Sequence, residues 1–163
     1  MTKFAYIVLH YKNIKDTIEC LESIKSKYDS PIIVVDNATL NDEDKNKIEN
    51  YTDDIIMLEE NKGFAKANNI GCKYAKQKYK PDYLVVINND IIITDNKFEE
   101  KISECYKKTK FDMMGPRIIT DGGDSVNPFK AYETLEQVEE AINNTKRNLS
   151  IFENKLKRVL FNV

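Results

Sequence analysis

A chain of 163 residues with 41% hydrophobic and 32% charged residues is long enough for one soluble domain with a real core. A formal net charge of −2 gives no case for a nucleic-acid partner, and a single histidine, His10, nearly excludes histidine metal clusters and Ser-His-Asp triads. No apolar run approaches membrane-spanning length, and Phe4–Leu9 is too short for a signal peptide. The expected location is therefore cytoplasmic, with any membrane contact peripheral and at the inner face. Cys20, Cys72 and Cys105 have neither metal-ligand nor redox spacing and read as reduced core thiols.

Strands and helices alternate along the chain. Phe4–His10 is a continuous apolar run and reads as the first strand. Thr17–Tyr28 carries Ile18, Cys20, Leu21 and Ile24 at helical spacing. Pro31 opens a second buried strand, Ile32–Val35, which ends at Asp36 and Asn37. Asn41–Tyr51 is polar and reads as a helix, and Asp54–Leu58 as a short strand. Gly63–Tyr79 is a helix with Phe64, Ala67, Ile70, Tyr74 and Ala75 on one side. Asp82–Ile87 is an apolar run read as a central strand buried on both faces. Phe98–Lys108 is a helix with Phe98, Ile102, Cys105 and Tyr106 inward, and Asp112–Ile119 returns to the sheet with an irregularity at Gly115-Pro116. This rhythm predicts an α/β fold, with a mainly parallel sheet and helices on both faces.

From Ala131 the pattern changes. Leu135, Val138, Ile142, Thr145, Leu149, Phe152, Leu156, Val159 and Val163 alternate steps of three and four, about four heptads of one long helix. Acidic residues crowd its start and basic residues its end, as the helix dipole favours. The expected organisation is a domain over residues 1–130 and an amphipathic helix over 131–163. The stripe either folds back on its own domain or pairs with a second copy in a homodimer, the pairing being the leading expectation.

The chemistry concentrates in loops. Val86-Ile-Asn-Asn-Asp90 puts two carboxamides and a carboxylate at the carboxyl end of a strand, where open α/β sheets bind ligands. Asp90 there can hold a hard cation, and such a cation commonly carries the phosphates of a nucleotide. His10-Tyr-Lys-Asn13 and Asp36-Asn-Ala-Thr39 follow the other strand ends, and Glu60–Asn69 leads into a helix. Taken singly, Asp36-Asn37 also reads as a helix cap and Asn61-Lys-Gly63 as a plain turn. Several such loops at one edge point to a ligand cleft.

Tyr6-Ile-Val-Leu-His-Tyr11, Ile33-Val-Val-Asp-Asn-Ala38, Asn61-Lys-Gly-Phe-Ala-Lys-Ala-Asn-Asn69 and Val86-Ile-Asn-Asn-Asp90, in this order and spacing, resemble the family 2 glycosyltransferases of GT-A (Rossmann-like) fold, near the rhamnosyltransferase-like branch. The resemblance covers roughly residues 3–120. It implies a nucleotide-diphosphate sugar as donor, Mg²⁺ or Mn²⁺ as cofactor, and inverting transfer to a glycan or lipid-linked acceptor of a bacterial surface polysaccharide. His10 and Tyr11 would line the base and ribose, and Asp36 would hydrogen-bond one of them. Asn61 and Gly63 would border the nucleotide, with Phe64, Ala67 and Asn68 shaping the helix that follows. Asn88, Asn89 and Asp90 would stand for the DXD-type motif, with Asp90 as metal ligand and Asn88 as a neutral oxygen in the first position.

An inverting transfer also needs a general base, which the family draws from a segment well downstream of that motif. The nearby carboxylates are Asp121 and Asp124, whose Asp-Gly-Gly-Asp setting reads first as a loop tip. Arg117 is a weak phosphate candidate, as are Lys62 and Lys66, which otherwise read as the wet face of a helix. The alternatives are a nucleotide-sugar-binding module without turnover, a nucleotidyltransferase, and an assembly role carried by the heptad helix. A nucleotidyltransferase would want a glycine-rich phosphate loop after the first strand, and His10–Asn13 holds no glycine.

Overall fold

The computed structural model describes residues 2–120, 122–124, 139, 140 and 143 and divides into two compact units, Met1–Lys110 and Phe111–Val163. The first unit holds β1 (Phe4–His10), α1 (Ile14–Lys25), β2 (Ile32–Asp36), α2 (Asp42–Ile48), β3 (Asp54–Met57), α3 (Phe64–Lys78), β4 (Tyr83–Asn88) and α4 (Phe98–Thr109). The sheet order is β3-β2-β1-β4 and every pairing is parallel. The chain steps outward from β1 to β3, then α3 carries it back past β1 to β4. Right-handed crossovers in opposite directions put α1 and α3 on opposite faces of the sheet.

Side-chain alternation divides the core accordingly. Ala5, Ile7 and Leu9 of β1 join Ile33 and Val35 of β2 against Ala67 and Ala75 of α3. Tyr6, Val8 and His10, with Ile32, Val34 and Asp36, point to the other face, where α1 buries Thr17, Cys20, Leu21 and Ile24. Gly71 lets α3 lie close to the sheet, since a Cβ there would stand 2.6 Å from Ile7 Cγ2 and 2.7 Å from Val35 Cγ2. At the sheet's amino edge the Asp54 carboxylate accepts hydrogen bonds from Tyr74, Lys78 and Tyr79, tying the end of α3 to the start of β3.

Two expectations need correction. β4 is not buried on both faces: it is one of the two outer strands of the sheet among the described residues, and Leu84 and Val86 are 38% and 44% exposed. The register places them beside Ala5 and Ile7 on the α3 face, but α3 packs over β1 and β2. The segment Asp112–Ile119 is irregular, with only an isolated bridge at Ile119 and Met113 exposed. Pro116 brings no N–H to a ladder, and Gly115 before it weakens a strand interior. Helix and strand bounds elsewhere shift by a few residues. The largest shift is at α1, which starts at Ile14 and so sets Thr17 in its first turn.

No helix among the described residues is long and apolar enough to cross a membrane. The heptad seam, the boundary at residue 130 and the expected homodimer fall outside the described residues, except that Glu139, Glu140 and Asn143 are helical.

Candidate functional site

The parallel sheet brings the ends of β1, β2 and β4 to one edge. His10 and Asp36 are register partners there, and Asn88 pairs with Leu9. β1 and β4 flank the point where the strand order reverses, which is where open α/β sheets leave a crevice for ligands.

Hydrogen bonds join the four polar loops into one rim. Lys12 N–H donates to Thr39 Oγ1 at 2.8 Å, fastening the β1 loop to the β2 loop. Asn37 is buried and fastens the β2 loop to the segment before α3: its Nδ2 donates to Asn61 Oδ1 and its Oδ1 accepts from Lys62 N–H, both at 2.8 Å. Asn61 Oδ1 also accepts from Gly63 N–H at 2.8 Å, and Gly63 enters the helix at φ 74°, a conformation that favours glycine. Asn89 Nδ2 donates to Thr17 Oγ1 at 3.0 Å and to the Asn13 carbonyl at 3.2 Å, fastening the β4 loop to the start of α1. Lys12 (φ 67°) and Ala38 (φ 64°), each two residues past a strand end, hold left-handed backbone that costs a side-chain-bearing residue roughly 1–2 kcal/mol. The rim's hydrogen bonds hold both in place.

Asp36 is 1% exposed. Its Oδ1 accepts from Thr39 N–H (3.0 Å), Leu40 N–H (3.0 Å) and Thr39 Oγ1 (3.2 Å), while its Oδ2 accepts only from Thr39 N–H at 3.2 Å. Asp36 therefore builds its own loop and keeps acceptor capacity chiefly on Oδ2. His10, also 1% exposed, places Nδ1 2.7 Å from Thr17 Oγ1. Burial lowers the imidazole pKa, against the opposing pull of Asp36 and Asp44, so the ring is neutral at pH 7. Tyr11 beside it is exposed, with the Lys12 ammonium over its ring.

Asn68 is 6% exposed, and neither Nδ2 nor Oδ1 of its amide has a hydrogen-bond partner among the described residues. It lies in the first turns of α3, in the buried stripe with Ala67 and Gly71. An unpaired buried polar group costs about 1–3 kcal/mol, and a full amide presents both a donor and an acceptor.

Asn88 and Asp90 are exposed at the end of β4, while Asn89 is drawn inward by its bonds to α1. Among the described residues no three histidine, cysteine or carboxylate side chains converge on one point, so a protein-built metal cage is not what this edge offers. A cation carried on a diphosphate needs no such cage: one carboxylate and a carboxamide oxygen suffice when phosphate oxygens and water complete the shell. Asp90 and Asn88 fit that donor set. Behind them, the Cys20 thiol is pushed up to about 12, first by burial and then by the charge of Asp90.

The Lys62 ammonium is paired with Glu60. Phe64 is exposed rather than packed. Arg117 and Asp124 belong to the second unit, where Thr120 N–H donates to the Asp124 carbonyl (2.9 Å) and Gly123 N–H to the Thr120 carbonyl (2.8 Å), the loop tip expected from the glycines. Asp121 lies outside the described residues. A depression lined by Glu19, Glu22, Lys25, Tyr51 and Ile92, among others, lies along the later half of α1. Sequence reading missed Thr17 and the latch role of Asn37. The available signal for Thr17 was a hydroxyl on the apolar stripe of α1.

The sequence profile described as glycosyl transferase family 2 matches residues 6–161. The chain belongs to that family. Among solved structures it is similar to S. aureus TarS, with 22% identity and a TM-score of 0.50 over 65% of this chain and 20% of that one. For TarS 1–349 in complex with UDP the values are 21% identity and a TM-score of 0.52, over 67% of this chain and 33% of that one. The complex of the same segment with UDP-GlcNAc gives 21% and 0.52, over 67% and 32%. At these identities the likeness establishes the fold, a Rossmann-like GT-A sheet. The chain thus spans about a third or less of the TarS chains it matches. No match is found among curated proteins.

Proposed function

We propose that this chain is the donor-binding part of a glycosyltransferase that takes a nucleoside-diphosphate sugar. The observation that carries this reading is the single hydrogen-bonded rim that four polar loops form at the strand-order reversal. The UDP and UDP-GlcNAc complexes of TarS support it.

In this reading His10, Tyr11 and Asp36 face the nucleoside, while Asn61, Gly63 and Asn68 border it from the α3 side. Asn89 holds the β4 loop against α1 and so positions Asn88 and Asp90. Asp90, with Asn88, would hold Mg²⁺ or Mn²⁺, which when bound offsets the charge that builds on the departing diphosphate. The sugar would pass with inversion to a glycan or lipid-linked acceptor of a bacterial surface polymer, with the acceptor's base supplied from outside this rim.

The test is titration calorimetry of the purified chain with UDP, dTDP and GDP, in Mg²⁺ or Mn²⁺ and again in EDTA. At least one diphosphate is expected to bind in a metal-dependent way. Equal affinity in EDTA would remove the cation from the reading, and no binding by any of the three would remove the reading itself.

A further inference from the structure

We infer that Ser23 of α1 is a positioning residue for Asp90: it anchors the chain just beyond Asp90, as Thr17 anchors Asn89 just before it. The inference rests on the nucleotide-binding reading above and deepens it, because it names what holds the proposed cation ligand in place.

The segment from Ile91 to Asp95 forms neither helix nor strand, so no ladder sets its path. Its fixed points lie along α1 and the turn that ends it. Asn89 Nδ2 donates to Thr17 Oγ1 at 3.0 Å. Ile93 N–H donates to Ser23 Oγ at 3.0 Å, and both residues are buried. Farther on, Tyr28 Oη accepts the Phe98 N–H at 3.0 Å and donates to the Asp95 carbonyl. Asp90 thus stands between the Thr17 and Ser23 anchors. Its own side chain is exposed, so its place depends on the backbone beneath it.

Alanine is the better helix former at a position such as 23, and a hydroxyl carried into a core must be paired. Ser23 pairs in both directions. Its proton goes to the Cys20 carbonyl at 2.7 Å, the back-bond common to helical serines, and its oxygen accepts the Ile93 N–H. The partners fix these directions, since a carbonyl only accepts and an amide N–H only donates. Without the hydroxyl, the Ile93 N–H loses its acceptor and regains one only by turning toward water. That turn displaces the backbone next to Asp90. A ligand group ordered before a cation arrives binds it more tightly than one that must be ordered on binding.

The test compares Ser23→Ala with Tyr28→Phe. Each removes one hydroxyl that holds the same segment, but Tyr28 acts at Asp95 and beyond, and phenylalanine keeps the ring stacked on Tyr6. In amide ¹⁵N relaxation spectra of the ligand-free chain, Asp90 should become more mobile in Ser23→Ala and keep its wild-type order in Tyr28→Phe. Calorimetry then uses whichever of UDP, dTDP and GDP binds. The gain in affinity from EDTA to the better of Mg²⁺ and Mn²⁺ should shrink about 3–10-fold in Ser23→Ala, the scale of one lost hydrogen bond, with affinity in EDTA unchanged. Tyr28→Phe should keep the full gain, whatever it costs in urea midpoint. An Asp90 amide as ordered in Ser23→Ala as in wild type, an undiminished gain in that variant, or an equal loss of gain in Tyr28→Phe would overturn the inference and leave the binding reading standing. A wild-type chain that binds none of the three, or binds equally in EDTA and with either metal, would defeat the cation reading and the inference together, and wild type alone would show it.

Discussion

Asn37 and Asn61 meet side chain to side chain, Nδ2 to Oδ1 at 2.8 Å, across 24 residues of sequence. Asn37 also accepts the Lys62 N–H, so one buried carboxamide sets the path of the chain from the end of β2 to the start of α3. Asn37→Ala should destabilise the chain by about 1–3 kcal/mol, because the Lys62 N–H and Asn61 Oδ1 lose their partner. Asn37→Asp should be worse at neutral pH, since a carboxylate would face Asn61 Oδ1 without a proton to share. Urea midpoints of the two variants check the order, and a milder effect for the aspartate would show that the latch does not depend on the Nδ2 donor.

Gly71 makes a second, purely steric prediction. A methyl at this position has nowhere to go between Ile7 and Val35, both fully buried and branched. Gly71→Ala should therefore lose about 1–3 kcal/mol by overpacking, although alanine is the better helix former by roughly 1 kcal/mol. A rise in thermal midpoint would mean that α3 can move off the sheet at little cost.

Asp54 fixes a pH dependence. Burial alone would raise its carboxyl pKa, but hydrogen bonds from Lys78, Tyr79 and Tyr74 outweigh that and hold it below the ordinary 3.8. A carboxyl depressed in the folded state stabilises fully above its unfolded pKa, and the contribution fades as pH falls through the folded value. Wild type should exceed Asp54→Asn in stability at pH 7, with the gap narrowing below about pH 4. A gap that persists unchanged at pH 2 would assign the effect to packing rather than to ionisation. Nucleotide affinity at pH 7 should not change, because Asp54 begins β3 at the sheet edge opposite the rim.

Much of this was legible in the sequence for a specific reason. β1 and β2 are buried on both faces, so their apolar runs are uninterrupted up to His10 and Asp36, polar residues that are still buried at the carboxyl edge. The abrupt switch to polar residues marks the ligand edge. The exposure of β4 could not be read the same way, because Leu84 and Val86 are apolar although α3 does not cover them. The latches were hidden for another reason. Asn89 reaches Thr17 across 72 residues, and Asn37 reaches Asn61 across 24, so the pattern around each residue carries no trace of its partner. Asp36 shows the limit most clearly: its place at a strand end was evident, but its occupation by Thr39 and Leu40 is a matter of loop geometry.

Asp90→Ala is expected to leave the fold intact, because the side chain is exposed and makes no hydrogen bond among the described residues. Urea stability should stay within about 0.5 kcal/mol of wild type, as for surface positions generally. The Mg²⁺ dependence of diphosphate binding should disappear, so that affinities with metal and with EDTA converge. Asn88→Ala should reduce that dependence less, since a neutral carboxamide oxygen is a weaker ligand for a hard cation than a carboxylate. Retention of full metal dependence in Asp90→Ala would place the cation elsewhere.

The two faces of β4 give the last test. Val86 lies beside Ile7 in the register but is 44% exposed, whereas its neighbour Ile87 lies beside Val8 and is buried against the α1 face. Truncating a buried isoleucine to alanine removes apolar area from the core and leaves a cavity, at a cost of about 2–5 kcal/mol. Truncating a valine that already faces water loses only a fraction of the roughly 1.5–3 kcal/mol that full burial of such a side chain is worth. Ile87→Ala should therefore cost several times as much as Val86→Ala in denaturant midpoint. Both residues precede Asn88 on the same strand, so propensity and position are nearly matched and burial is the variable that differs. Equal losses would mean that, in solution, the Val86 face is covered as fully as the Ile87 face.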